Sequence, residues 1–168
     1  TMRCDWDFSP PSEKYFDELF RVSRNQVIWG GNYFPLPPTR GILCWDKMQP
    51  WENFSQFELA WTSFDCPAAI IHLSNTGGAN KEAKIHPTQK PIALYHWAFK
   101  KFVKPGDKIL DTHLGSGSSR IVAYKMGIDF YATEIDKEYF ESQEKRFLRE
   151  CFGEIKTEKG TLVQTNLF

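Results

Sequence analysis

Residues Asp111 to Ser119, Asp-Thr-His-Leu-Gly-Ser-Gly-Ser-Ser, constrain the fold more than any other stretch of the chain. The apolar pair Ile109-Leu110 leads into the run, and a helix-like segment leaves it and ends near Met126. A strand that ends in an acid and turns through two close glycines into a helix makes a cradle for a small molecule. Glycine lets the backbone come near a ligand. The start of the helix presents N–H groups that the helix itself does not use. A second apolar run, Tyr131-Ala132-Thr133-Glu134-Ile135-Asp136, follows and also ends in acids. The bland alternative is a glycine-rich turn with no ligand.

In Rossmann-like folds an acid at the end of the second strand holds ribose hydroxyls, and Glu134 occupies that place. The spacing is not that of a dinucleotide site. The third glycine of G-x-G-x-x-G is replaced by Arg120, which is too large for close helix–strand contact. No Gly-Lys-Ser/Thr follows, so a P-loop is excluded. A second motif lies upstream. His86-Pro87-Thr88-Gln89-Lys90-Pro91 stands just before a helix-like run, Ile92 to Phe102, with Pro91 suited to the first helical position. Taken alone, the hexapeptide reads better as a plain Pro-bracketed turn; its place just upstream of the glycine motif is what makes it informative. Thr88 and Lys90 offer a hydroxyl and a cation to a carboxylate at that helix start.

The order His-Pro-Thr-Gln-Lys-Pro, then D-x-x-x-G-S-G-S, then an acid-ended strand resembles the β-class of S-adenosylmethionine-dependent DNA amino-methyltransferases. These act on adenine N6 or cytosine N4. Gln26-Val27-Ile28-Trp29-Gly30-Gly31-Asn32-Tyr33-Phe34 resembles the family's strand beside the target-base pocket. Trp45-Asp46-Lys47 and Ala60-Trp61-Thr62-Ser63-Phe64-Asp65 resemble segments of phage and prophage adenine methylases, which often serve restriction–modification. The resemblance implies an α/β, Rossmann-like methyltransferase fold, incomplete at its N-terminus, with an inserted target-recognition segment. It assigns the methionine end of S-adenosylmethionine to Asp111, Gly115 and Gly117, with Ser116 and Ser118 nearby. It assigns Glu134 to the ribose, Ile135 to one face of the adenine, and Thr88 and Lys90 to the cofactor carboxylate. Trp29, Gly30 and Asn32 would lie beside the base pocket. The family has Pro-Phe after the motif's acid, where this chain has Thr112-His113. His113 either packs on the cofactor as the aromatic would or has no role.

The family's catalytic tetrapeptide, D-P-P-Y or S-P-P-Y, does not occur in these 168 residues. Its acceptor oxygens align the target amino group on the methyl carbon, and its aromatic stacks on the flipped base. Ser9-Pro10-Pro11-Ser12 imitates it, but the fourth residue is not aromatic and Thr1 to Phe8 is too polar for a buried parallel strand. The expectation is therefore a fragment that starts after the catalytic motif, with a degenerate, non-catalytic cofactor- or DNA-binding remnant as the different-class alternative. Within the class, adenine-N6 transfer is favoured and cytosine-N4 transfer is the runner-up.

The remaining sequence fits this reading. Twenty-one basic and 21 acidic residues balance, which argues against a purely electrostatic nucleic-acid binder. Double-stranded DNA is not excluded, because phosphate contacts depend on local placement; the local candidates are Arg40, Lys47, Lys81 and Lys84, each of which reads more readily as a solvated surface charge. Cys4, Cys44, Cys66 and Cys151 form no C-x-x-C and read as reduced thiols, with no metal-ligand pattern. No apolar run approaches membrane length, and a cytoplasmic location is expected. Residues 1–34 read as the remainder of a catalytic half, with a helix over 12–24 (Ser12 its cap, Tyr15, Phe16, Leu19 and Phe20 its apolar face) and a buried strand over 26–30. Pro35-Leu36-Pro37-Pro38 then carries the chain away from the sheet. Residues 35–85 read as a target-recognition insertion holding Trp45, Trp51 and Trp61 and the loop Asn75 to Asn80. Residues 86–152 read as the cofactor-binding half, helix-strand-helix-strand-helix on a parallel sheet. Its last helix is capped by Asp136 and buries Tyr139, Phe140, Phe147 and Leu148. In the tail, 153–168, a polar tether over Gly153 to Gly160 precedes Gln164-Thr165-Asn166-Leu167-Phe168, which resembles the Q-x-x-L-F peptide that docks on the bacterial sliding clamp. The alternative there is a strand over Thr161-Leu162-Val163 closing the sheet. Oligomeric state and recognition sequence are not legible.

Overall fold

A computed structural model of the chain describes residues 11–74, 83–157 and 160–163. Two compact units are present, residues 1–79 and 80–168.

The first unit opens with α1, Glu13–Val22. Ser12 starts it through its backbone, its carbonyl accepting the Tyr15 N–H at 3.0 Å, while its hydroxyl makes no cap hydrogen bond. Phe16 is buried on the inner face, and Phe20 meets the Trp61 ring edge-on at 5.9 Å. Four strands follow, β1 (Val27–Trp29), β2 (Ile42–Asp46), β3 (Phe57–Thr62) and β4 (Ala69–His72). They form one sheet in the order β1-β3-β2-β4. β3 runs antiparallel to both β1 and β2, and β4 runs parallel to β2. The Pro35–Pro38 run thus carries the chain from β1 past the place that β3 fills.

The core of this unit is Leu43, Trp45, Ala60 and Trp61. Burial alternates along β2, as the pleat requires when one face is covered. Both buried indoles find acceptors, Trp45 Nε1 on the Leu73 carbonyl and Trp61 Nε1 on the Pro37 carbonyl, each at 2.7 Å. Gly31 packs so close that a Cβ there would fall 2.4 Å from Trp61 Cβ. One expectation is corrected. β1, read as a buried strand, pairs only with β3 among the described residues, and Val27 is exposed. Of the three tryptophans of the insertion, Trp45 and Trp61 are buried, and Trp51, in the long β2–β3 connection, is exposed.

The second unit runs α2 (Ile92–Phe102), β5 (Lys108–Asp111), α3 (Ser118–Met126), β6 (Asp129–Ala132) and α4 (Lys137–Phe152). β5 and β6 pair in parallel, the crossover being α3, so the expected β-α-β unit is present. α3 is the central helix, with Ile121, Val122 and Ala123 fully or almost fully buried and packing against α2, α4 and β6. Asp136 caps α4 by accepting the N–H groups of Glu138 and Tyr139. Gly127 and Gly153 end α3 and α4 in the left-handed conformation.

Three details differ from expectation. Pro91 precedes the first helical residue of α2, its ψ of 147° being extended. Phe140 is exposed, and the inner face of α4 buries Gln143 and Arg146 beside Phe147. Residues read as a polar tether include a strand, β7 (Glu154–Thr157), paired antiparallel with β8 (Gly160–Val163). Ile155, Thr157, Thr161 and Val163 are β-branched, a preference that outweighs the polarity of the segment. The pair β7–β8 is a separate two-stranded ribbon, so β8 does not extend β5–β6.

Candidate functional site

β5 and β6 end side by side, Asp111 opposite Ala132. The loops that follow, 112–117 and 133–136, therefore leave the sheet at one edge. They are stitched together by Thr133 N–H on the Asp111 carbonyl at 2.9 Å, Leu114 N–H on the Thr133 carbonyl at 3.0 Å and Thr133 Oγ1 on the Thr112 carbonyl at 3.0 Å.

Asp111 straps the glycine loop at both ends. One carboxylate oxygen accepts the His113 N–H at 3.0 Å, and the other accepts the Ser119 hydroxyl at 2.5 Å. Gly115 and Gly117 lie at φ +53° and +74°, where a side chain is strained. At Gly117 space is short as well, for a Cβ would sit 2.9 Å from Gln143 Oε1 and 3.1 Å from Gln143 Cβ. Glu134 reaches across from the end of β6. Its Oε2 accepts the Gly115 N–H at 2.7 Å, and its Oε1 accepts the Asp136 N–H at 2.9 Å. A carboxylate offers about four lone-pair directions, so these two bonds leave acceptor capacity. Ile135, next in the chain, is 89% exposed. His113 is exposed and its Nδ1 lies 3.0 Å from Thr112 Oγ1.

The His86–Pro91 turn packs against this loop. His86 is buried, its ring centroid 4.3 Å from that of Tyr139 on α4, and Gly115 lies over it with room for little more than a Cβ. His86 Nδ1 accepts the Thr88 N–H at 3.3 Å and lies 3.1 Å from Thr88 Oγ1. Gln89 closes the turn, its Oε1 accepting the Ile85 N–H at 3.0 Å. The Lys90 carbonyl accepts the Ser118 hydroxyl at 2.7 Å, joining the turn to the first residue of α3. Burial pushes the His86 pKa below its ordinary 6.5; Glu134 and Asp136 pull it up, and Lys90 and Lys84 push it down.

The residues singled out as cofactor contacts thus all lie in the second unit, at or beside one loop. Thr88 and Lys90 approach it through His86 and Ser118, Asp111 and Glu134 brace it, and Ser116 and Ser118 face inward and are buried. In the first unit, Trp29 ends β1, and Gly30 follows at φ +72°, its N–H on the Leu59 carbonyl at 2.8 Å. Asn32 lies in the following 3-10 turn and is exposed. Of the basic candidates, Arg40 meets Asp65 at 3.5 Å on the surface. Lys47 meets Glu58 at 3.9 Å and lies 5.2 Å from the centroid of the Trp45 ring. Lys84 is exposed, and Lys81 lies outside the described residues.

Sequence reasoning missed the polar groups under the loop. Arg146 is 1% exposed and its Nη1 donates to the Ser116 carbonyl at 2.7 Å and to Ser118 Oγ at 2.9 Å. Arg120, in the place of a third glycine, stacks on Phe147 with Cζ 3.9 Å from the ring centroid, donates to Gln143 Oε1 at 3.0 Å and pairs with Glu144. The spacing Tyr139, Gln143, Arg146 along one helix face was the available signal.

Residues 10–145 match the N6_N4_Mtase family, described as DNA methylase. The chain belongs to that family. It is 28% identical over 141 residues to the type II methyltransferase M2.DpnII of Streptococcus pneumoniae, covering 84% of this chain and 48% of that protein. The chain spans about half the length of the relatives of this kind that it matches. Among solved structures it is similar to the M1.HpyAVI–SAM complex, with TM-score 0.52 and 21% identity over 81% of this chain and 71% of that one. It is also similar to the PvuII DNA methyltransferase (cytosine-N4-specific), with TM-score 0.51 and 19% identity over 65% of this chain and 51% of that one. These likenesses establish the Rossmann-like methyltransferase fold that the sequence led us to expect.

The buried imidazole gives a pH prediction. With its folded pKa below 6.5, His86 stays neutral in the fold while the unfolded chain takes up a proton. Stability should therefore fall as pH drops from above 6.5 and level off below the folded pKa. Urea unfolding between about pH 7.5 and 5.5 measures this slope, and His86→Gln should flatten it. An unchanged slope in that variant would show that other groups carry it.

Proposed function

We propose that this chain is the cofactor-binding part, with adjoining strands, of a site-specific DNA methyltransferase that uses S-adenosylmethionine and acts on adenine N6 in double-stranded DNA. The observation that carries the reading is the pair of left-handed glycines at the head of α3, braced by the Glu134 carboxylate and flanked by the His86–Pro91 turn. The residues fit such a cofactor: the loop has no Cβ at Gly115 or Gly117, and Ile135 is bare beside Glu134. S-Adenosylmethionine, when bound, supplies a methyl group on a sulfonium centre. Glu134 would accept from the ribose hydroxyls with the capacity its two backbone bonds leave. Thr88 and Lys90 would meet the carboxylate of the methionine end, and Ile135 would cover one face of the adenine. Trp29, Gly30 and Asn32 are assigned to the side of the target base, and Lys84 to a DNA phosphate.

Glu134→Ala should weaken S-adenosylmethionine binding by about 1.5–3 kcal/mol, as for a charged acceptor lost from a partly buried contact. Isothermal titration checks it, with Glu134→Gln as companion because its amide oxygen can still hold the Gly115 N–H. Affinity unchanged in both variants would remove the ribose assignment.

The choice of base rests on the likeness of Trp45-Asp46-Lys47 and the Ala60–Asp65 segment to adenine methylases. The 168 residues lack D-P-P-Y and S-P-P-Y, so by themselves they should transfer no label from radioactive S-adenosylmethionine to unmethylated DNA. A protein that joins them to such a tetrapeptide should yield N6-methyladenine on mass spectrometry of the digested DNA. N4-methylcytosine instead would reverse the base assignment, and label transfer by these residues alone would mean that another segment aligns the amino group.

Gln164 to Phe168 lies outside the described residues, and its proposed role as a sliding-clamp peptide rests on its sequence. Leu167 and Phe168 would act as adjacent apolar anchors with Gln164 at the rim. A fluorescent peptide of residues 158–168 should bind purified clamp saturably and lose binding when Leu167 and Phe168 become Ala. Absence of saturable binding would end the idea.

A further inference from the structure

We propose that Arg146 is the positioning residue of the cofactor loop, locking the glycine turn to the His86–Pro91 turn so that both present one fixed surface to the methionine end of the cofactor. The proposal rests on the S-adenosylmethionine reading above and adds a residue that the motifs do not include.

Arg146 lies on α4, ten residues beyond the Asp136 cap, and its side chain is enclosed under the loop. Enclosing a guanidinium is unfavourable unless its donors are well used. The two hydrogen bonds from Nη1 go to loop groups, the Ser116 carbonyl and Ser118 Oγ. Ser118 in turn donates to the Lys90 carbonyl, and Ser116 Oγ lies 3.2 Å from Ser118 Oγ. A continuous path therefore runs from α4 through the loop to the residue assigned to the cofactor carboxylate. Earlier along α4 the same helix face supports the same two turns. Gln143 packs beneath Gly117, and Tyr139 packs on His86.

A left-handed glycine has many alternatives in the free chain, so a loop with two of them stays in one conformation only if its peptide groups are held. Arg146 holds the carbonyl of Ser116, the residue between them. A charged donor does so more strongly than a neutral one. Removing it should loosen the part of the site that meets the amino-acid end and leave the Glu134 side, which has its own bonds to Gly115 and Asp136, largely in place.

The test compares two ligands on the folded chain, S-adenosylmethionine and 5′-methylthioadenosine, which keeps the nucleoside and lacks the amino-acid end. Arg146→Met should lose about 10- to 100-fold in affinity for the first, as for a charged hydrogen bond removed. Its affinity for the second should change by less than about 3-fold. Arg146→Lys should recover part of the loss, because an ammonium can still serve both oxygens. Without ligand, amide exchange of Leu114 to Ser119 should quicken in Arg146→Met while that of β6 stays unchanged, which a general loss of stability would not produce. If Arg146→Met does not fold, Arg146→Gln, neutral and still a donor, takes its place with the same selective loss expected. Equal losses for both ligands, or none for either, in a folded variant would overturn the proposal. Failure of the unaltered chain to bind either ligand would instead bring down the cofactor reading on which it stands.

Discussion

Between Asp111 and Ser119 the backbone must leave a parallel strand, reverse, and enter a buried helix, and it does so through two left-handed residues separated by one serine. Such a path is available to glycine and poor for anything else, yet glycine also makes the loop the least self-determined part of the chain. Its shape is therefore imposed from outside. Asp111 ties the loop's start to its end, Glu134 holds Gly115 from the neighbouring strand, and Arg146 holds Ser116 and Ser118 from below. The parallel pairing of β5 with β6 matters because it delivers Glu134 to the same edge as the loop. The cap on α4 matters because Asp136 and Glu134 share a hydrogen bond, so the start of that helix and the brace of the loop are fixed together.

This arrangement accounts for the unusual interior of the second unit. A helix packed against a sheet or another helix normally buries an apolar stripe. α4 buries Gln143 and Arg146 beside Phe147 and leaves Phe140 out. The surface it must cover is a loop with carbonyls and hydroxyls, and buried polar groups need partners. Arg120 completes the pattern. It occupies the place where a dinucleotide fold needs glycine for close contact, and its guanidinium spans α3 and α4 by stacking on Phe147 and bonding Gln143 and Glu144. The first unit keeps a mainly apolar interior of Phe16, Leu43, Trp45, Ala60 and Trp61, with Thr62 and Gln26 as its buried polar residues among those described.

What could be read from the chain beforehand follows the same division. Wherever a local rule determines the conformation, the element was legible: the strand–glycine–helix passage, the Asp136 cap, α1 behind Ser12, and the succession from α2 to α4. Parallel pairing of β5 and β6 followed from the helix between them. Sheet order in the first unit did not. Nothing in the residues 26–30 says that β3, some thirty residues on, will lie beside them. A strand with a partner on one side looks in sequence like a buried one, so Val27 was placed inside. Arg146 was passed over because an arginine in a charged helix reads as a solvated side chain, although it shares a helix face with Tyr139 and Gln143. Only the position of the loop beneath which it falls makes it interior.

The same contacts bear on what a motif acid does. Asp111 and Glu134 belong to the pattern by which ligand contacts are recognised, yet each spends hydrogen bonds on backbone or serine groups of its own site. His86, within the upstream hexapeptide, likewise serves Thr88 and underlies Gly115. These residues first make the loop's shape, and a ligand meets whatever capacity remains. A ligand that bonds to Glu134 then feels the position of Gly115 through the same carboxylate. On the proposed assignment, the amino-acid end of that ligand would feel Arg146 through Ser118 and Lys90, which hydrogen bonds already join. Binding at one end of the site is thereby linked to order at the other through hydrogen bonds that exist before any ligand arrives, which is how preorganisation reduces the entropy lost on binding.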